Sequence, residues 1–229
     1  MNTVLPYCNS LLANSRLETR EVKVGNIGIG GKNPIRIQSM TITNTMDTEA
    51  TIAESIRMVD AGCELVRITA PSIKEAENLH AIKNELVKKR IDIPLIADVH
   101  FNPKVAEIAA RFADKVRINP GNYSDKKRGI SIISETEYNA ELNRIRSRLA
   151  PLVRICQEYG TVIRIGSNHG SLSERILLRY GNTPAGMVEA TLEFVRIFED
   201  LGFNNLVLSM KSSNVKMMVD STRLLIENM

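Results

Sequence analysis

Lys115-Val116-Arg117-Ile118-Asn119-Pro120-Gly121-Asn122 is a short apolar run that carries an arginine and then breaks into turn chemistry. Such a run reads as a buried strand whose carboxyl end is marked by Asn-Pro-Gly-Asn. A strand covered on both faces does not ordinarily hold a lone charge. Yet Val66-Arg67-Ile68-Thr69 and Ile163-Arg164-Ile165-Gly166 repeat the pattern, and Leu208-Ser209-Met210-Lys211 is a lysine variant. One arginine could be a structural accident; four related cations ask for a common anion.

Outward from this stretch, strand-like and helix-like segments alternate. Strands are expected at 35–40, 64–69, 95–99, the quoted run, 161–166 and 205–210. Helix signals lie between them: Asp47 as an N-cap with Gly62 just past the end, a capping box at Ser72-Ile73-Lys74-Glu75, and Asn102-Pro103 as N-cap and first helical residue. After a long polar connection over 123–137, a helix is expected over 138–158. Ser171-Leu172-Ser173-Glu174 opens a short helix, Thr183-Pro184 a longer one to Leu201, and a last helix runs over 214–227. Six successive βα units imply a parallel sheet with right-handed crossovers. A TIM (β/α) barrel fits better than a doubly wound sheet, because polar residues end nearly every strand instead of clustering at one switch point. A full barrel has eight units in about 250 residues, so the last two strands are expected to be missing and the chain to be an excised piece of a longer protein. Ahead of the barrel part (21–229), residues 21–31 read as a hairpin around Gly25-Asn26 that plugs one end, and 1–20 as irregular. The clustered glycines are turn glycines, since no Gly-Lys-Ser/Thr follows them.

Side chains alternate along a strand, so parity separates the barrel interior from the helix-facing layer. Arg67 shares a face with Leu65 and Thr69, Arg117 with Asn119, Arg164 with Gly166 and Asn168, and Lys211 with Ser209 and Ser213. Asp98 aligns with His100, and Gln38 with Arg36 and Met40. In the second, fourth and fifth strands the opposite set is apolar and β-branched, so the polar set is expected to converge at the carboxyl-terminal mouth. Desolvating a charge costs several kcal/mol, and Asp98 is the one carboxylate of matching position. The arrangement makes sense if water fills the empty mouth and an anion the occupied one. Arginine forks suit phosphate oxygens and lysine adds a point charge; Asn119, Asn168 and Ser213 would read hydroxyls or the remaining oxygens. His100 reads as a hydrogen-bonded mouth histidine. His169, beside Gly170 at a helix entry, would assist an anion there. His80 reads as a surface residue. The structural alternative is that each arginine caps strand carbonyls or pairs with a loop acid.

At 229 residues and 43% hydrophobic, the chain can bury one ordinary core. It has no tryptophan and a formal charge of +4, which favours a small acidic ligand over stacking on nucleic-acid bases. Cys8, Cys63 and Cys156 are scattered, as expected of reduced thiols. No membrane span or signal-like start is present, so a cytoplasmic protein is expected. A metal site would want more His or Cys than this mouth offers.

Ile37-Gln38-Ser39-Met40-Thr41, Leu65-Val66-Arg67-Ile68, Ala97-Asp98-Val99-His100-Phe101, Arg117-Ile118-Asn119-Pro120-Gly121-Asn122, Arg164-Ile165-Gly166-Ser167-Asn168-His169-Gly170-Ser171 and Ser209-Met210-Lys211-Ser212-Ser213-Asn214 together resemble one family. It is the 4-hydroxy-3-methylbut-2-enyl diphosphate synthases, the GcpE family of the methylerythritol phosphate isoprenoid pathway, and the resemblance spans about 21–229. It implies a barrel of the pterin-synthase-like type with the substrate diphosphate in its mouth. Arg67, Arg117, Arg164 and Lys211 match the family's diphosphate-binding positions, with Asn119 and Asn168 assisting. Asp98 and His100 match other polar mouth positions, and Gln38, Ser213 and His169 complete the substrate-binding candidates. The implied reaction is the reductive opening of 2-C-methyl-D-erythritol 2,4-cyclodiphosphate, with loss of its C3 hydroxyl as water. Electrons would come from ferredoxin or flavodoxin through a 4Fe-4S cluster, held by three cysteines and a glutamate of a separate carboxyl-terminal domain. A homodimer is implied, one subunit's cluster domain closing over its partner's barrel. The connection after Tyr123 resembles the larger form of the family, which has an extra middle domain.

The chain departs from this pattern in two places. Its cysteines lack a cluster-binding spacing, and the family's last two strands, with a Thr-Glu-Ala-Gly stretch and a further arginine, are absent. The expectation is therefore a substrate-binding part that holds no metal and is inactive alone. Two other readings stay open. A pterin-type transferase barrel would also bind a diphosphate ester. A basic RNA-binding domain would show steep salt dependence and tolerate Arg117→Ala or Arg164→Ala.

Overall fold

The chain enters through a hairpin, β1 (Val22–Val24) paired antiparallel with β2 (Ile27–Ile29). Gly25 in its turn has φ +56°, a conformation glycine adopts without strain. The computed structural model describes residues 16–100, 102–123 and 133–229; Cys8 and part of the connection after Tyr123 lie outside them. The βα units follow: β3 (Gln38–Met40), α1 (Thr48–Asp60), β4 (Leu65–Ala70), α2 (Ile73–Lys88), β5 (Leu95–Val99), α3 (Pro103–Ala109), β6 (Lys115–Ile118) and α4 (Glu135–Tyr159). Then come β7 (Val162–Asn168), α5 (Glu174–Tyr180), α6 (Pro184–Asp200), β8 (Leu206–Lys211) and α7 (Val215–Glu227).

The six later strands form one parallel sheet in the order β3-β4-β5-β6-β7-β8. Spatial order equals chain order, so the winding never reverses. A doubly wound sheet would reverse at a switch point; this sheet curls into part of a barrel instead. Among the described residues β3 and β8 are its edges.

Local chemistry sets the helix ends. Asp47 accepts from the Ala50 N–H, Asn102 from the Lys104 N–H ahead of Pro103, Thr183 from the Gly186 N–H and Asn214 from the Met217 N–H. Such caps contribute about 1 kcal/mol each. Gly62 ends α1 at φ +94°.

Several boundaries differ from the sequence reading, each for a local reason. The first strand is shorter, Gln38–Met40: the Glu64 carboxylate takes the Ile37 N–H and the Arg36 guanidinium, so the paired register begins at Gln38 opposite Leu65. Helix α4 starts at Glu135, because Ser134 and Glu137 form a reciprocal capping box inside the stretch read as a connection. At Ser72 the hydroxyl accepts from the Lys74 N–H and also donates to Glu75. Strand β7 runs two residues past Gly166, to Asn168.

The parity expected along the strands separates two packed layers. Val66, Ile68, Ala97, Val99, Val116, Ile118, Ile163 and Ile165 pack with Leu79, Ile82, Leu86, Ile145, Leu149, Phe194 and Phe198 from the helices. Full burial of such side chains contributes about 1.5–3 kcal/mol each. On the other face Leu65, Ile96 and Val162 pack with Val22 and Val24 of the hairpin. The hairpin therefore plugs the amino-terminal end of the sheet interior, leaving the carboxyl-terminal end for the polar residues. No helix among the described residues is long and apolar enough to cross a membrane.

Candidate functional site

Partners across a parallel ladder point to the same face, so the register lists what the interior holds. One row is Met40, Arg67, Ile96, Lys115 and Val162. The next, toward the mouth, is Thr69, Asp98, Arg117, Arg164 and Val207. Above it Gly166 pairs with Ser209, and Asn168 with Lys211.

Asp98, 4% exposed, sits at the centre. Its Oδ2 accepts from Arg67 Nη2 at 2.6 Å and its Oδ1 from Arg117 Nη1 at 3.3 Å. His100 Nε2 lies 3.8 Å from the same carboxylate. Arg117 also donates from Nη2 to the Gly166 carbonyl at 2.9 Å. A Cβ at Gly166 would stand 2.3 Å from Arg117 Nε, so the glycine of Arg164-Ile165-Gly166 is the space this guanidinium crosses. Arg164 donates from Nε to Ser209 Oγ at 3.0 Å, and no carboxylate pairs with it among the described residues. Burial lowers the pKa of both Arg117 and Arg164; Arg67 and Arg117 press Arg164 further down, while Asp98 partly restores both. Three guanidinium groups thus share one carboxylate. Asp98 plays the part of the pairing acid for two of them, and Arg117 also caps a strand carbonyl.

The rim is built by the turns after β6 and β7. Asn119 accepts from the Gly121 N–H and donates to Ser171 Oγ at 2.7 Å. A Cβ on Gly121 would stand 1.9 Å from the Ser171 carbonyl oxygen, so only glycine permits this approach. Asn119 is thereby committed to joining the two turns. Asn168 Oδ1, His169 Nε2, Arg67 Nε and Thr41 Oγ1 are buried with no hydrogen-bond partner among the described residues. Buried polar atoms are seldom left in that state.

The structure places Arg67, Asp98, Arg117 and Arg164 together, with His100 beside Asp98 and Asn119, Asn168 and His169 along the rim. Lys211 is exposed at the end of β8, in register with Asn168. Ser213 is exposed in the bend beyond it, and Gln38 aligns with Leu65, a row below Arg67. His169 lies in a 3-10 turn (His169–Ser171), not at the entry of α5, whose N-cap is Ser173. One inward cation was missed: Lys115, 2% exposed, has the parity of Arg117 and was legible by counting two residues back. His80 is exposed and stacks on Phe112.

The described residues do not fit an iron–sulfur cluster. No group of three His, Cys, Asp or Glu among them could hold a metal. Cys63 and Cys156 are free, and burial pushes the Cys156 thiol up to about 12, away from the thiolate a cluster requires.

Comparison with known proteins gives a consistent picture. The family described as "GcpE TIM-barrel domain" matches residues 19–229. A protein of Akkermansia muciniphila named 4-hydroxy-3-methylbut-2-en-1-yl diphosphate synthase (flavodoxin) is 51% identical over 97% of this chain and 38% of its own length. One of the same name from Bacteroides fragilis is 55% identical over 94% of this chain and 35% of its own. The chain thus spans little more than a third of these relatives. Among solved structures, a truncated 3-deoxy-D-arabino-heptulosonate 7-phosphate synthase from Thermotoga maritima aligns with a TM-score of 0.58 at 10% identity, over 92% of this chain and 66% of that one. An N-acetylneuraminic acid synthetase from Leptospira borgpetersenii gives 0.56 at 14%, over 92% and 67%. At such identities these two establish the fold alone.

Proposed function

The chain belongs to the GcpE family, and from that premise we propose that its mouth binds the diphosphate of 2-C-methyl-D-erythritol 2,4-cyclodiphosphate for reductive opening to 4-hydroxy-3-methylbut-2-enyl diphosphate. The observation that carries this reading is the charge imbalance: Arg67, Arg117 and Arg164 face one another, and among the described residues Asp98 is the one carboxylate between them. A diphosphate supplies the missing negative charge and accepts from paired guanidinium donors. Lys211 adds a cation at the rim, and Asn168 and His169 bring to it polar atoms that have no partner among the described residues.

Opening the ring adds two electrons and one proton: the C3 hydroxyl leaves as water, and the oxygen freed from carbon keeps the electron pair of the broken C–O bond. It also converts a phosphate diester oxygen into a terminal one, so negative charge grows on the diphosphate. Fixed guanidinium groups in a partly desolvated mouth favour that charge where it develops. The electrons are proposed to come from a flavodoxin, the donor in the relatives' names, by way of a 4Fe-4S cluster held outside this chain. On the same reading the isolated chain binds without turnover, and the enzyme works as a dimer.

Calorimetry tests this directly. Wild-type chain should bind the cyclodiphosphate, and Arg117→Ala should weaken binding at least about a hundredfold, the loss expected when charge-assisted bonds in a desolvated site are removed. Unchanged affinity in that variant refutes the assignment. Steeply salt-dependent RNA binding that tolerates the same change would support the nucleic-acid reading.

A further inference from the structure

Lys115 has no place in the site as the sequence presents it, yet it lies on the same inward face. It opens β6, pairs across the ladder with Ile96 and Val162, and is 2% exposed. Its row neighbours belong to the apolar plug with Val22 and Val24, so its floor is hydrocarbon. Above it stands the guanidinium layer. The charged groups facing it are Arg67 from β4, Arg117 from its own strand and Arg164 from β7, with Asp98 of β5 already shared by Arg67 and Arg117. The hairpin adds none, since Lys23 is exposed on its other face, and β8 presents Val207 at the level of Arg164. No hydrogen bond or ion pair to the Lys115 amine is present among the described residues.

We infer that Lys115 is a ligand-switched cation of the mouth: an anion seated on Arg67, Arg117 and Arg164 draws a proton onto its amine. The inference rests on the anion-binding reading and extends it to how binding depends on pH. An amine between hydrocarbon and three guanidinium groups favours its neutral form. Burial first, then Arg164 and Arg67, lower its pKa from 10.5 to about 8. A bound diphosphate offsets the positive field of the guanidinium groups, so the ammonium becomes the favoured form and the site gains a donor. A mouth built this way prefers a multiply charged anion to a singly charged one, because the greater charge recruits more of the extra cation.

The cyclodiphosphate suits the test, because each of its phosphoryl groups carries one strongly acidic oxygen and neither titrates near neutrality. Any proton taken up on binding therefore enters the protein. Titration calorimetry in Tris and in EPPS, buffers of different ionisation enthalpy, reads that proton count. Wild type should take up little at pH 6.5, about half a proton at pH 8 and approach one at pH 9, its affinity falling by up to about tenfold per pH unit above 8. Lys115→Met should show no uptake and a flat affinity from pH 7 to 9. Lys115→Arg, permanently charged, should bind tightly across the same range, also without uptake. Wild-type binding without proton uptake, or uptake that survives in Lys115→Met, overturns the inference while leaving the binding site intact. A wild-type chain that binds no cyclodiphosphate at any pH removes the anion-binding reading itself, and this inference with it. Thermal melting of both variants establishes that they fold.

Discussion

The molecule buries arginines in two places and treats them differently. Outside the barrel, Arg175 of α5 is 2% exposed and closely surrounded. It pairs with Glu193 of α6, which also accepts from the Tyr138 hydroxyl, and it reaches Ser173 and Glu141. Its guanidinium carbon stands 5.1 Å from the centre of the Tyr138 ring, whose same neighbourhood holds Arg179 paired with Glu135. In the mouth, Arg67 and Arg117 share Asp98, while Arg164 has a serine hydroxyl and no carboxylate partner among the described residues. The first cluster carries its own negative charge, Glu193 and Glu141 against Arg175, and ties three helices together, although Arg175 Nε is left without a hydrogen-bond partner among the described residues. The second leaves positive charge in excess among the described residues, which is the basis for proposing an anion there. Burial alone does not mark a functional arginine; burial without enough negative charge does.

The largest expected effect breaks the structural cluster. Arg175→Ala should cost about 3–5 kcal/mol, because Glu193 is left buried and unpaired; burial already raises the Glu193 pKa against the pull of Arg175. Chemical denaturation measures the loss, and molecules that remain folded should bind the cyclodiphosphate normally. A smaller effect comes from Lys115. With its folded pKa lowered to about 8 from 10.5, the unfolded chain holds the extra proton between those values, so stability should rise with pH across that window. Relative to Lys115→Met the gain should reach about 3 kcal/mol, read from denaturation midpoints at pH 8 and 10.5. Smaller again, Gly166→Ala should cost about 1–3 kcal/mol by overpacking and displace the Arg117 guanidinium, which lies 2.3 Å from the new methyl position. Its signature is weakened ligand binding on top of the stability loss, a combination Arg175→Ala should not give.

How the two regions were foreshadowed in the sequence also differs. The mouth was legible because strand periodicity is two: Arg67, Arg117, Arg164 and Asp98 alternate with β-branched residues that pack on helices. Strand order followed from the uninterrupted βα succession. Lys115 was lost because it begins its strand and reads as a boundary residue. Asn119 reads from the sequence as a ligand contact; the structure adds that its amide joins two turns, a contact between residues 52 positions apart that no local pattern reveals. Ser213 falls beyond the last ladder pair, where alternation no longer fixes direction. The Arg175 cluster gave no signal at all. Its members lie on three helices, and part of it depends on α4 starting at Glu135, inside a polar stretch that reads as loop.

The central claim is that the mouth arginines serve a ligand and not the fold. Thermal unfolding of wild type and Arg164→Met, each with and without saturating cyclodiphosphate, tests it most directly. Wild type should be stabilised by about 2.7 kcal/mol at a hundred times the dissociation constant. Arg164→Met, relieved of a half-buried charge that no carboxylate pairs with among the described residues, should be at least as stable as wild type without ligand and should lose that response. An Arg164→Met chain that is strongly destabilised yet keeps the full ligand-induced shift would contradict the account.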